Sequence, residues 1–122
     1  ANQVDLDEDF RLLVDLAPVR SRENLRNTGW VRHTAESALW AVLTTRSFEE
    51  ALVQAVNLGW DADTTGTVTG ALAGALYGLE SIPSRWRKIV HGEYPIRSGK
   101  LWFEQDFISL ADDLAGIGQT TT

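Results

Sequence analysis

Two carboxylates separated by one residue, followed at once by hydroxyls, make residues 61–65 the part of this chain best suited to chemistry. The stretch Asn57–Gly78 reads "NLGWDADTTGTVTGALAGALYG". Asp61 and Asp63 offer hard anionic oxygens, and Thr64 and Thr65 add neutral ones. Such a set suits Mg²⁺ or Mn²⁺ better than zinc. A helix N-terminus needs only one acidic or hydroxyl cap, and Asp63 or Thr64 can serve there. A second aspartate exceeds that need, because neighbouring carboxylates repel unless a cation lies between them.

The elements that position these residues read as helix after helix. Gly66, Gly70, Gly74 and Gly78 recur every fourth residue, so on a helix over 64–79 they form one stripe without side chains. Each glycine costs about 1 kcal/mol of helix propensity relative to alanine. The stripe therefore predicts close packing on another backbone, and with Val68, Leu72 and Leu76 on other faces, burial nearly all round. Upstream, Ser47 followed by Glu50 is a capping box that starts a helix at Phe48. That helix carries Ala51, Leu52, Ala55 and Val56 on one face and stops at Gly59. "HTAESALWAVLTT" places Ala38, Leu39, Val42 and Leu43 at helical spacing. Phe10, Leu13, Val14 and Leu16 mark a first helix that Pro18 ends, and "SRENLRN" is a short polar helix or turn. Downstream, a helix from Pro83 to Gly92 and a last amphipathic helix in "FEQDFISLADDLAG" complete the pattern. No stretch alternates for long enough to be a strand. The expected fold is all-α, an orthogonal multi-helix bundle around the glycine-rich helix. It forms a single domain over 1–122, with 119–122 a frayed tail.

Composition narrows the function. The 122 residues include no cysteine, so thiolate zinc sites and disulfides are excluded. A net charge of −6 argues against nucleic acid as a partner. The apolar run at 64–79 is shorter than the ~20 residues of a membrane span, and Asp61, Asp63 and Glu80 flank it. "ANQVDLDEDF" has no apolar core of the signal-peptide type, giving a cytoplasmic expectation.

Three known patterns resemble the acidic stretch. The EF-hand loop matches at Asp61, Asp63 and Gly66, but its twelfth place, which needs a bidentate Glu, is Leu72. "DTTGTVT" resembles the phosphorylation loop of P-type ATPases and, more loosely, of haloacid-dehalogenase-like phosphatases. Those loops follow a buried strand, whereas "FEEALVQAVNLG" reads as an amphipathic helix. The closest likeness is longer. "AVNLGWDADTTGTVTGALAGALYGLESIPSRW", with "GWVRHTAESALWAVLTTRSFEEAL" before it, resembles the C-terminal motif of the ADP-ribosylglycohydrolase family over about 29–115. The resemblance implies an all-α fold holding two Mg²⁺ or Mn²⁺ ions, with Asp61, Asp63 and Thr64 as ligands. It implies cleavage of the bond between ADP-ribose and an acceptor such as an ADP-ribosylated protein side chain. It also sets Gly29 and Trp30 near the substrate, with Trp30 able to stack on adenine or simply to open a helix.

The chain departs from that family pattern in three ways. The T-D-D motif that supplies the other ligands, and the acidic residue expected to act in catalysis, are both absent. "VDLDEDF" does not replace them, so the catalytic acid or base is unassigned. Family members run to about twice this length, the size of a large single helical domain, so the resemblance implies a C-terminal half. Such a half is expected to be inactive alone, and to pair with the missing N-terminal half or form a homodimer. At Trp60 the family more often has glycine, and the ring either shapes the ribose pocket or packs. His33 reads as a structural hydrogen-bonder. The competing classes are a self-associating, non-catalytic helical module and, more distantly, an aspartyl-phosphate phosphatase.

Overall fold

A computed structural model describes residues 8–25 and 30–117. Gly29 and the tail 119–122 lie outside the described residues. The chain divides into two compact units, residues 1–82 and 83–122.

The described residues of the first unit are mainly helical. Helix α1 spans Glu8–Leu16, α2 Val31–Leu43, α3 Phe48–Val56 and α4 Ala62–Tyr77. Single 3₁₀ turns occupy Ala17–Val19, Arg22–Asn24 and Leu79–Ser81. The capping box forms as the sequence predicts: Ser47 Oγ accepts the Glu50 amide at 3.1 Å. Glu50 Oε2 reaches back to the Arg46 amide at 3.0 Å, one residue before the cap. Helices α2, α3 and α4 pack pairwise, and Trp40, Ala41 and Ala55 form a buried cluster joined by the partly buried Leu25 and Leu58.

Three glycines of the expected stripe face α3 and meet its side chains rather than its backbone, while Gly78, at φ +82°, ends the helix, and a Cβ there would have nothing within 4 Å. A Cβ at Gly66, Gly70 or Gly74 would lie 3.2 Å from Val56 Cγ2, 3.8 Å from Leu52 Cδ1 and 3.9 Å from Phe48 Cε2 in turn. Successive turns of α4 thus rest on successive turns of α3, with large side chains on one helix filling the missing ones on the other. The expected all-round burial does not hold. Thr65, Thr69 and Ala73 are the buried stripe, while Leu72 and Leu76 are exposed. In α2 the buried face is Thr34, Ser37, Ala38 and Ala41, together with Trp40 and Val42, and Leu43 is exposed. Small residues at i, i+3, i+4 and i+7 let a helix approach its neighbour closely, and large apolar residues are not needed there.

The second unit corrects the sequence reading. The helix expected over 83–92 is only one turn, α5, Ser84–Arg87. The chain then forms a short antiparallel pair, β1 His91–Glu93 and β2 Leu101–Phe103, with Gly92 opposite Trp102. Side chains hold the connection between them: Glu93 Oε1 accepts the Gly99 amide at 2.7 Å, and Trp102 Nε1 donates to the Tyr94 carbonyl at 3.0 Å. Helix α6, Glu104–Ile117, follows β2 directly, and Asp106 accepts the Phe103 amide at its start. Arg87 pairs with Glu104, tying α5 to α6.

Candidate functional site

The acidic stretch folds as a tight turn running into α4. Trp60 adopts φ +58° and Gly59 φ +79°. Asp61 follows with φ −80° and ψ 59°, and the Ala62 amide donates to the Trp60 carbonyl at 2.9 Å. This is an inverse γ-turn centred on Asp61. The Asp61 carbonyl then accepts the Thr65 amide at 3.1 Å as the first helical bond. Helix α4 therefore begins two residues earlier than the sequence predicts, with Asp61 at its N-cap position.

Neither Asp63 nor Thr64 holds that cap position, and the Asp61 side chain makes no capping bond to the backbone. Its Oδ1 instead accepts the Thr64 hydroxyl at 2.8 Å. Asp63 is also close. Its carboxyl lies below the ordinary carboxylate range, first because of a hydrogen bond with the Asp61 side chain, then because of the amides of Thr64 and of Asp63 itself. Hydrogen bonding to the charged form lowers a carboxyl's pKa. The structure brings Asp61, Asp63 and Thr64 into one cluster at the start of a long helix.

The donor chemistry of that cluster suits a hard divalent cation, but it is a partial set. Two carboxylates and one hydroxyl fall short of the roughly six oxygens of an octahedral Mg²⁺. Among the described residues no group of three or more His, Asp or Glu side chains is arranged to hold a metal. The segment preceding the turn is helix α3, not a strand, which removes the context of an aspartyl-phosphate loop. No helix among the described residues is long and apolar enough to cross a membrane.

The other expected positions separate. Trp30 is the N-cap residue of α2 and half exposed. It borders a polar cavity of about 380 Å³ lined by Arg20, Asn24, Arg32, His33 and Glu36. His33 meets the Trp30 ring edge-on at 4.8 Å, and Arg20 pairs with Glu36 at 3.3 Å. Sequence reasoning missed the cationic residues of this cavity, because Arg20 and Arg32 lie on different elements with no shared spacing. Trp60 is 88% exposed, so of the two roles read for it, pocket-shaping or packing, it does not pack among the described residues.

The cavity segment and the acidic turn are physically linked. Arg22, between Arg20 and Asn24, donates from Nη2 to the Asn57 carbonyl at 2.7 Å, four residues before Asp61. Leu25 and Leu58 pack on the same cluster around Trp40.

Comparison with known proteins gives the family. A family model described as ADP-ribosylglycohydrolase matches residues 1–122. The chain is 46% identical over 67 residues to ADP-ribosylarginine hydrolase Tri1 of Serratia proteamaculans (strain 568), covering 55% of this chain and 18% of that protein. It is 43% identical over 61 residues to the ADP-ribosyl-[dinitrogen reductase] glycohydrolase of Rhodospirillum rubrum, covering 50% and 21%. Over 49 residues it is 43% identical to ADP-ribosylhydrolase ARH3 of Bos taurus, covering 40% and 13%. These matches thus span about a fifth or less of each relative's length. No solved structure gives a significant match. With the family model running from the first residue to the last, and the acidic turn and glycine helix inside it, the chain belongs to the ADP-ribosylglycohydrolase family.

Proposed function

We propose that this chain is the metal- and substrate-binding C-terminal portion of a hydrolase that cleaves the glycosidic bond between ADP-ribose and an acceptor side chain. The clustering of Asp61, Asp63 and Thr64 carries the reading. These three residues would hold one face of a Mg²⁺ or Mn²⁺ site. Such an ion, when bound, supplies Lewis-acid polarisation and a template for the ribose hydroxyls and water. The remaining oxygens would come from a T-D-D segment, and the catalytic acid or base from a separate acidic residue, as the family resemblance implies. The Trp30 cavity, with Arg20 and Arg32 in its lining, suits the nucleotide end of the substrate: a ring can stack on adenine while guanidinium groups face diphosphate. One of these relatives is named for ADP-ribosylarginine, and arginine is the acceptor we assign.

Mn²⁺ titration followed by electron paramagnetic resonance tests the metal assignment. The wild-type chain is expected to bind weakly, and the Asp61→Asn/Asp63→Asn double variant not at all. Equal signals from the two proteins would sink it.

A second reading is favoured by the apolar surface. Val19, Leu43, Leu76, Ile96 and Leu114 are all exposed by half or more, as expected of a helical module that self-associates to cover them. Concentration-dependent sedimentation without any Mn²⁺ response supports that class instead.

A further inference from the structure

Trp60 combines two unfavourable features at one position. It is more exposed than any other large apolar side chain among the described residues, and its backbone is left-handed, φ +58°. A non-glycine residue is disfavoured there, and glycine would relieve it. The ring recovers none of this by packing. Backbone strain of this kind persists at binding sites, where an outlier is a reason to look for function.

Position narrows what the ring does. Trp60 directly precedes Asp61, and its carbonyl closes the turn that presents the acidic cluster. It therefore stands at the reacting end of the site assigned above, whereas Trp30 stands at the cationic cavity. A substrate joining ADP-ribose to arginine offers that end a planar cation. An exposed indole takes a guanidinium on its face by stacking and cation–π attraction. A neutral hydroxyl acceptor such as serine gains none of these terms. We infer that Trp60 is a specificity-determining residue that stacks on the guanidinium of the arginine acceptor.

The inference rests on the hydrolase reading, and one binding series separates the two. ADP-ribose, an ADP-ribosylarginine peptide and an ADP-ribosylserine peptide are titrated by calorimetry against the wild-type chain, Trp60→Ala and Trp60→Phe, with Mg²⁺ present. Trp60→Ala is expected to weaken the arginine-linked peptide by about three- to tenfold and leave ADP-ribose and the serine-linked peptide unchanged. Trp60→Phe retains most of the affinity. Equal binding of the arginine-linked peptide by wild type and Trp60→Ala overturns the inference while the hydrolase reading stands. So does an equal loss for all three probes, which assigns the ring to the nucleotide or to the fold. Absence of ADP-ribose binding by wild type overturns the hydrolase reading and this inference with it. Matching melting curves for the variants confirm that the exposed site tolerates substitution.

Discussion

Arg22 donates a hydrogen bond to the Asn57 carbonyl at 2.7 Å, across 35 residues of sequence. The bond fastens the 3₁₀ turn beside the polar cavity to the end of α3, where the chain leaves for the acidic turn. Arg22→Ala is expected to cost about 1 kcal/mol, the scale of one charge-assisted bond at an exposed site. Faster amide exchange at Leu58–Ala62, with the interior of α2 unaffected, is the measurement that checks it.

The glycine stripe predicts an order of effects. Gly70→Ala places its methyl at ordinary contact from Leu52, 3.8 Å, and should stabilise by about 0.5–1 kcal/mol through helix propensity and reduced unfolded-state freedom. Gly66→Ala meets Val56 Cγ2 at 3.2 Å, and a β-branched side chain has little rotamer freedom to give way. Its gain should be smaller than that of Gly70→Ala or reversed in sign. Thermal melts of the two variants decide the order.

Thr34 is 5% exposed, and its hydroxyl has no hydrogen-bond partner among the described residues. Thr34→Val keeps the shape and removes the unsatisfied oxygen. It should raise stability by about 1 kcal/mol, read as a higher midpoint in urea with an unchanged slope.

Ser47→Ala removes the acceptor of the Glu50 amide. A loss of about 1 kcal/mol is expected, with fraying at the start of α3 visible in amide exchange at Phe48–Ala51.

Much of the first unit is legible in the sequence because local rules decide it. The capping box fixes Phe48 as the start of α3, and the four-residue glycine period identifies the α3-facing side of α4. Asp61, Asp63 and Thr64 come together because they lie within one helical turn at the start of α4. What stays hidden depends on partners distant in sequence. The β1–β2 pair has strands of three residues each, too short to show a two-residue alternation. It is held by Glu93, Gly99, Tyr94 and Trp102 through bonds no periodicity reports. The faces of α2 and α4 mislead for a related reason: small polar residues, Ser37, Thr65 and Thr69, take the buried places that a hydrophobic pattern gives to leucine.

The meeting of Val56 with Gly66 closes the acidic turn at its base, so the residues between them form a loop of fixed length. A helix turns by about 100° per residue, so one residue inserted within α4 between Asp63 and Gly66 would rotate the carboxylates relative to the glycines that face α3.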